Sequence, residues 1–584
     1  MIFSFGIYSQ LPNGTQNSVL ERLLSRTVTP LLQRLYRKTD EKITFVLSGY
    51  EMEWIESNHP EINVLINSLS RRGQIDFLSS SFNGLCLQML PPSERASEIE
   101  RTSTFIRRRY SKRPSGFWAF QQIWNSSFLS AMNLCSLNYA VISTSLNLQN
   151  SKAAKEPFIM NELDKTTLII PTDDDISRLV LESFEQHRTN EEFENELSKF
   201  RFSRNGIVDY AMINMDQLLY DDFDGSRAIS AILDCYESHQ FIPKLIDSRS
   251  IIHNEILDKN FLPSGIYGFD FKTPFTSPNE ILLANRQYRT VFQLFEKYKS
   301  LVRLSGADKT AKKEINAILS RAMSSYPFLF ESDGIIKRNI IEKGLFEVHN
   351  LFEAKEIDLP NELDIDDDSY DELIYRGDEF CGIFDSKGGG FASLLTSMNT
   401  PCFKTSSSNL LFSDCFTTKN GKKLPLCKKR FSISFLDKKC TIIEARLPKI
   451  GIDGLCISLA KNFSLSSKGI DLKISIRNES ASHAAFKYSL MLPIACQMES
   501  FDEKNGKAVF SSSFKGDTEK KFVLECNSTG TPFNITFHET EGLIHTPVED
   551  MKKYLYTDYE IQCDIQIGNN GVFEQEFHFS YTEK

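Results

Sequence analysis

The sequence lacks the short patterns that build most metal and disulfide sites. Its nine histidines form no His-x-His or His-x-x-x-His pair, and none of its 12 cysteines belongs to a Cys-x-x-Cys pair. We therefore predict no metal and no cofactor. Scattered single cysteines are typical of free thiols in a reducing compartment, which favours a cytoplasmic protein, with disulfides in the last third of the chain as the alternative.

Long apolar runs and an excess of positive charge are also missing. No run reaches the length of a transmembrane helix, and Met1 to Gln10 has neither the cationic flank nor the cleavage site of a signal peptide. The net charge of -10 disfavours a nucleic-acid surface, because phosphate binding needs clustered Lys and Arg. We therefore predict neither a membrane nor a nucleic-acid partner.

The sequence does have enough apolar mass for several cores, since 41% of its 584 residues are hydrophobic. In residues 1–278, short apolar runs alternate with segments of helical periodicity. This order predicts right-handed βαβ units and a parallel sheet, closed as an incomplete (β/α)7-type barrel. The candidate strands are 2–7, 42–48, 75–80, 116–120, 139–143, 167–171 and 207–213.

The remainder of the chain changes its pattern twice. Residues 279–358 have apolar side chains at helical spacing throughout, which predicts a helical subdomain packed on the barrel. The acidic stretch Asp364 to Asp368 is the candidate turn between domains. Short alternating runs then fill residues 359–584 and predict an antiparallel β-sandwich. The fold class is therefore α/β plus all-β.

One predicted strand has an unusual end. The stretch Gly116 to Trp124 runs from aromatic residues into two neutral amides, at the point where a barrel enzyme places its chemistry. Together with Glu53 to Glu56, Arg72 to Gln74 and Phe5 to Ile7, this stretch resembles glycoside hydrolase family 57. That family contains the retaining α-amylases and 4-α-glucanotransferases.

The resemblance implies roles for two residues. Gln121 stands at the nucleophilic glutamate of the family's Trp-x-x-Glu-x-x-Trp pattern, and Asp216 stands at the acid/base aspartate of its His-Asp-Asp-Gly pattern. Retaining glycosidases need two carboxyl groups roughly 5 to 5.5 Å apart, one of them an anionic nucleophile. A neutral amide is a far weaker nucleophile, so we predict a protein of α-glucan metabolism without the retaining glycosidase reaction.

The same resemblance marks five positions expected to contact the sugar. Most carry a side chain other than the one the family uses, such as a missing histidine or glutamate. These positions are Tyr8, Gln10, Gly84, Trp118 and Asn214.

Two further replacements lie beside the site. Gln122 replaces the arginine that follows the nucleophile, and Ser143-Thr144 replaces an Asp pair. Each residue also has a plain structural explanation: Asp216 is equally suited to cap a helix, and Trp118 to fill a core.

Three functional hypotheses follow. In the first, a non-catalytic barrel still binds an α-glucan, a maltooligosaccharide or a partner protein. In the second, the protein is a working α-amylase or 4-α-glucanotransferase that uses Asp216 with Asp173 or Asp174 as the anion. In the third, it is an interaction scaffold without affinity for sugar. Dimers occur in the family, so the resemblance also implies a homodimer.

Overall fold

The chain divides into two compact units in a computed structural model. The first unit comprises Met1–Ile281, Met323–Glu331 and Pro547–Glu549, and the second contains the rest. The structure describes residues 2–11, 15, 17–143, 156–162, 164–199, 207–219, 223–255, 257–262, 264–266, 286–323, 334–377, 380–396, 410–435, 442–466, 469–494, 496–515, 519–542 and 554–583.

The first unit is built on a nine-stranded sheet and a separate two-stranded pair. Its strands are β1 (Ile2–Tyr8), β2 (Ile43–Val46), β3 (Ile75–Ser79), β4 (Gly116–Trp118), β5 (Ile123–Trp124), β6 (Tyr139–Ile142), β7 (Phe158–Glu162), β8 (Lys165–Pro171), β9 (Val208–Asn214), β10 (Asp258–Lys259) and β11 (Gly265–Ile266).

Helices follow most of these strands. They are α1 (Asn17–Leu23), α2 (Thr29–Arg37), α3 (Gly49–Asn58), α4 (Pro60–Arg71), α5 (Pro92–Tyr110), α6 (Phe128–Leu134), α7 (Asp175–Glu185), α8 (Asn190–Ser198), α9 (Gly225–Ser238) and α10 (Ser248–Asn254). A π-helical turn joins α1 to α2 at Leu24–Val28, and short 3-10 helices span Leu87–Met89, Phe120–Gln122 and Met215–Leu218.

The strand order of the large sheet is β10-β7-β8-β6-β4-β3-β2-β1-β9. Every strand predicted for residues 1–278 is present, and together they form a continuous parallel array from β9 to β8. The sheet is nevertheless mixed, because the unpredicted strand β7 runs antiparallel to β8 and pairs with β10 at the edge.

The large sheet is strongly curled. Neighbouring strands lie about 4.8 Å apart, so β1 and β4 would be about 14 Å apart in a flat sheet. The rings of Tyr8 on β1 and Trp118 on β4 nevertheless have centroids 4.8 Å apart. The backbone amide of Asp173, just after β8, donates to the carbonyl of Tyr210 on β9 at 2.8 Å. The two ends of the parallel array therefore approach each other.

The inner face of the curl forms one hydrophobic cluster. Each parallel strand contributes at least one buried side chain to it, because alternate residues of a strand point to the same face. These include Tyr8, Val46, Leu78, Trp118, Val141, Ile170 and Met212. The outer face packs against helices, as where Phe3 stacks on Tyr236 of α9 at 4.1 Å. The curl thus has a filled interior.

The second unit begins with helices and continues with antiparallel sheets. Its helices are α11 (Arg286–Leu304), α12 (Lys309–Ala322) and α13 (Gly334–Ala354). They lie within residues 279–358, where the sequence predicted helices, and they group with the strands that follow. The domain boundaries at residues 278 and 358 stay predictions.

The strands of the second unit form antiparallel sheets of four, five and eight strands. They are β12 (Glu362–Leu363), β13 (Glu372–Arg376), β14 (Phe380–Asp385), β15 (Gly390–Thr396), β16 (Asp414–Thr417), β17 (Lys423–Pro425), β18 (Ser432–Phe435), β19 (Ile442–Ile452), β20 (Leu455–Ser466), β21 (Gly469–Asn478), β22 (Ala484–Ile494), β23 (Gln497–Asp502), β24 (Lys507–Lys515), β25 (Glu519–Thr529), β26 (Asn534–Gly542), β27 (Tyr554–Ile567) and β28 (Val572–Glu583).

One hydrophobic core is shared by these sheets. Buried side chains alternate with exposed ones along β20 and β21, as expected for strands with one covered face. The acidic stretch Asp364 to Asp368 lies inside this unit, in the connection of the β12–β13 hairpin.

Two further findings concern the cysteines and the apolar character of the helices. The cysteines within the described ranges are all free. Among the helices that the structure describes, none combines the length and the apolar character needed to cross a bilayer.

Candidate functional site

The predicted site residues gather along the carboxyl edge of the parallel strands. Tyr8, Trp118 and Asn214 are the last residues of β1, β4 and β9. Gln121 lies in the 3-10 turn directly after β4, and Asp216 lies in the one directly after β9. This arrangement arises because parallel strands end at the same edge of a sheet, where ligands of α/β domains usually bind.

Asp216 is deeply buried, with 3% of its surface exposed. Its Oδ2 accepts a hydrogen bond from the backbone amide of Gln10 at 3.1 Å, and its Oδ1 contacts the hydroxyl of Ser9. The side chain of Asn214 caps the 3-10 turn by accepting from the Asp216 amide at 2.9 Å. Burial raises the pKa of the Asp216 carboxyl above its usual range. The structure thus brings Asp216, Asn214 and Gln10 together.

Glu51 is a second buried carboxyl in the same place, and the sequence analysis missed it. It lies in the first turn of α3, where Ser48 and Glu51 form a reciprocal capping box. Its Oε2 accepts from the Ser48 amide at 2.7 Å, and its Oε1 contacts the Ser9 hydroxyl. Burial first, and the nearby Asp216 second, raise the pKa of Glu51.

The turn after β4 is tied to the neighbouring strand ends. Gln122 has a left-handed backbone, with φ of 51°. Its side-chain oxygen accepts from the Ser143 amide at 2.6 Å, and its side-chain nitrogen donates to the Ala119 carbonyl at 3.0 Å. The hydroxyl of Ser143 in turn donates to Asp174 at 2.7 Å. Asp174 is 7% exposed, so a buried carboxyl lies close to the end of β6.

The position of Gln121 is described by its backbone only. The 3-10 turn Phe120–Gln122 places its Cα directly after β4, between the aromatic strand end and β5. The orientation of its side chain lies outside the described residues.

The indole N–H of Trp118 has no partner among the residues that the structure describes. Its Nε1 is buried and makes no hydrogen bond within the described part of the chain, although the residue is only 2% exposed. Buried Trp N–H groups usually have an acceptor. Trp124, by comparison, donates to the Leu262 carbonyl at 3.3 Å. Trp118 thus offers a free donor at the strand edge.

Gly84 stands apart from the other predicted residues. It follows β3 with a left-handed φ of 69°, a conformation that glycine adopts at little cost. The loop is held by Glu98, which accepts from the Asn83 amide at 2.9 Å and from the Ser81 hydroxyl at 3.1 Å. No described contact joins Gly84 to Asp216 or Trp118.

Within the described ranges, one cluster of three carboxyl side chains has a spacing suited to a cation. Oxygens of Asp364, Asp366 and Glu372 lie within 4.8 Å of one another, in the second unit. Burial raises the pKa of Glu372 to about 7. Clusters of acidic side chains are common without an ion.

A curled, nearly all-parallel sheet with polar side chains at its carboxyl edge defines an α/β domain, a class that binds ligands at that edge. Residues 7–211 match the Glycosyl hydrolase family 57 model. The resemblance to this family is therefore confirmed over that stretch.

Two curated relatives agree with this assignment. The chain is 27% identical over 140 residues to Alpha-amylase 1 of Dictyoglomus thermophilum, a match covering 24% of this chain and 20% of the relative. It is 25% identical over 183 residues to a 4-alpha-glucanotransferase of Thermococcus kodakarensis, covering 30% of this chain and 28% of the relative. These matches span less than a third of either relative's length.

A solved structure extends the likeness in fold to the whole chain. The crystal structure of 4-alpha-glucanotransferase from Thermococcus litoralis superimposes with a TM-score of 0.68 at 14% identity, covering 99% of both chains. At this identity the superposition supports the fold alone.

Proposed function

We propose that the first unit is an α-glucan-binding domain, an incomplete (β/α)7 barrel, that does not carry out the retaining glycosidase reaction. The second unit is then a β-sandwich attached to it. The proposal rests on one observation: the 3-10 turn after β4 carries Gln121, at the carboxyl edge shared with Asp216. A retaining glycosidase needs a carboxylate at that position to attack the anomeric carbon.

Amide chemistry explains the predicted loss of reaction. A glutamine oxygen carries no full charge, so it does not form a covalent glycosyl-enzyme at a useful rate. Removing a covalent nucleophile usually costs several orders of magnitude in rate. Binding does not require that charge, because sugars are held mainly by hydrogen bonds and aromatic contacts. The indole N–H of Trp118, which has no partner among the described residues, suits that role.

A second candidate function is supported by Asp174. Its carboxyl is buried and accepts hydrogen bonds from Ser143 and Thr172 near the end of β6. An active α-amylase or 4-α-glucanotransferase would then use Asp174 as the anion and Asp216 as the acid/base residue. This alternative predicts turnover of maltooligosaccharides by the wild-type protein.

Calorimetric titration with maltoheptaose, combined with an assay of glucan hydrolysis and transfer, tests the proposal. We expect binding at up to millimolar sugar without turnover. The Trp118→Phe variant removes the free N–H and keeps the ring, so it should weaken binding several-fold. Trp124→Phe is the matched control, because the Trp124 N–H already has a protein partner.

The outcomes separate the hypotheses. Turnover by the wild type that disappears in Asp174→Asn contradicts the first proposal and supports the active enzyme. Absence of any heat with maltoheptaose contradicts both and leaves the interaction scaffold. A gain of turnover in Gln121→Glu would show that the neutral amide alone accounts for the inactivity.

A further inference from the structure

Two buried carboxyl groups meet at a single hydroxyl in the first unit. Glu51 Oε1 and Asp216 Oδ1 both contact Ser9 Oγ, and the three residues are 1%, 3% and 0% exposed. They come from the first turn of α3, the 3-10 turn after β9 and the residue after β1. The contacts are therefore fixed by the ends of three adjacent strands.

The hydrogens available at this junction are too few for two carboxylates. A serine hydroxyl has one hydrogen to donate, so it can serve only one carboxylate at a time. The second contact is a hydrogen bond only if that carboxyl carries a proton and donates it to Ser9 Oγ. Two buried anions sharing one hydroxyl would repel each other in a medium of low dielectric constant.

No described residue supplies a positive charge to this pair. Within the described part of the chain, the other polar contacts of the two carboxyls are the amides of Gln10 and Ser48 and the Ser48 side chain. No Lys, Arg or His of the described residues pairs with either carboxyl. Among the described residues, each group is the only titratable neighbour of the other, so a retained proton is the source of neutralisation that they offer.

We propose that Glu51 is a positioning residue for Asp216 and that the two carboxyl groups share one proton across the hydroxyl of Ser9. In one form Glu51 is protonated and donates to Ser9 Oγ, while Ser9 donates to the Asp216 carboxylate. When the Glu51 proton moves to Ser9 and the Ser9 proton moves to Asp216, Glu51 becomes the carboxylate. The total charge of the pair stays at one negative throughout.

The consequence concerns the charge at the candidate sugar site. Asp216 can become a neutral acid without taking a proton from solvent, because Glu51 supplies it through Ser9. The role of this relay in sugar recognition rests on the proposed function, whereas the shared proton does not. The two claims can therefore fail separately.

Infrared difference spectroscopy with 13C-carboxyl-labelled glutamate tests the shared proton directly. At about pH 7, exposed glutamates are ionised. We expect a protonated glutamic acid signal in the wild type that is lost in Glu51→Gln. Because Glu372 has its own raised pKa, the comparison is the difference between wild type and variant. Glu98→Gln is the matched control, since Glu98 is also a buried, hydrogen-bonded glutamate of the first unit.

An unchanged spectrum in Glu51→Gln would overturn the proposal. The Ser9→Ala variant keeps both carboxyls and removes the bridge, so it provides an independent check if Glu51→Gln folds poorly. The protonated carboxyl should then shift in frequency, because its hydrogen loses the Ser9 acceptor. A protonated signal at the wild-type frequency in Ser9→Ala would also contradict the bridge.

Urea unfolding followed by tryptophan fluorescence gives a second measurement, because all three tryptophans lie in the first unit. A carboxyl whose pKa is raised by folding leaves stability unaffected below about pH 4 and reduces it as the pH rises. As the pH is raised from about 5 to about 9, the urea concentration at the midpoint of wild-type unfolding should decrease. Roughly half of this decrease or more should be absent in Glu51→Gln. An undiminished fall would contradict the proposal. Neither measurement uses sugar, so a failure to bind glucan would not contradict the shared proton.

Discussion

The two units differ in how their buried carboxyl groups are neutralised. In the second unit, Lys461 and Asp414 are fully buried and their Nζ and Oδ2 atoms lie 2.7 Å apart. Lys461 also donates to the carbonyls of Gly389 and Phe412, and the Tyr488 hydroxyl donates to Asp414 at 2.6 Å. In the first unit, Glu51 and Asp216 face each other with no cation among the described residues.

The difference separates a structural pair from a site that can titrate. Burial raises the pKa of Asp414 and lowers that of Lys461, and their mutual attraction opposes both shifts. Their charges thus cancel, and the pair fixes the glycine-rich turn before β15. Glu51 and Asp216 have only a proton to neutralise them, so their charge state responds to pH. Perturbed groups of the second kind are frequent at functional sites.

The largest expected effect comes from breaking the compensated pair. Lys461→Met leaves Asp414 buried without its cation and should cost about 3–5 kcal/mol of stability in the second unit. Scanning calorimetry measures the loss. Lys473→Met is the control, since Lys473 forms exposed pairs with Glu574 and Glu576 and its loss should change stability little. Equal losses in the two variants would contradict the comparison.

A third uncompensated carboxyl, Asp209 on β9, sharpens the comparison. Both of its oxygens are buried without a hydrogen-bond donor in the described part of the chain, and burial raises its pKa to about 7. Stability is therefore lost as the pH rises from about 4 to about 7. Asp209→Asn should have little effect at about pH 4 and stabilise the first unit by about 1–3 kcal/mol above about pH 8.

Urea titration at the two pH values measures this effect by tryptophan fluorescence. Asp258→Asn is the control, because Asp258 is exposed on β10 and should change stability little at either pH. An increase in stability of the same size at both pH values would show that the charge of Asp209 is not the cause.

The smallest expected effect involves no charge. Gly84 has a left-handed φ of 69°, so Gly84→Ala should destabilise the first unit by about 1–2 kcal/mol with no dependence on pH. Urea unfolding at two pH values checks this. Gly306→Ala, in the second unit, is the control and should leave the stability of both units unchanged, because an added Cβ meets open space and no left-handed φ opposes it. A pH-dependent loss in Gly84→Ala would mean that backbone strain alone does not explain the glycine.

The sequence predicts the parallel strands within a few residues, because each is a short apolar run between turn residues. It does not predict β7, whose Asn161 and Glu162 weaken the strand pattern at a sheet edge. The helices of the second unit were also predictable, since their apolar periodicity is sustained over many residues. Their grouping with the antiparallel strands depends on long-range contacts that no local pattern contains.

The candidate site shows the same limit. The family pattern identifies Asp216, but its partner Ser9 is 207 residues away and Glu51 is another 42 residues from Ser9. The Ser48-x-x-Glu51 spacing is a helix-capping signal, and the capping box is indeed present. That signal accounts for one oxygen of Glu51 only. The other oxygen, Oε1, contacts Ser9, and this contact depends on the pairing of β1 with β2 in the folded sheet.

The position of β1 between β2 and β9 has a consequence for biosynthesis. The ribosome makes β1 first, but its second neighbour, Val208–Asn214, emerges about two hundred residues later. Until then, one side of an apolar strand has no backbone partner and can pair with other chains. A nascent chain or fragment that stops before Val208 should therefore need chaperone protection, and separate expression of the first unit should include β9.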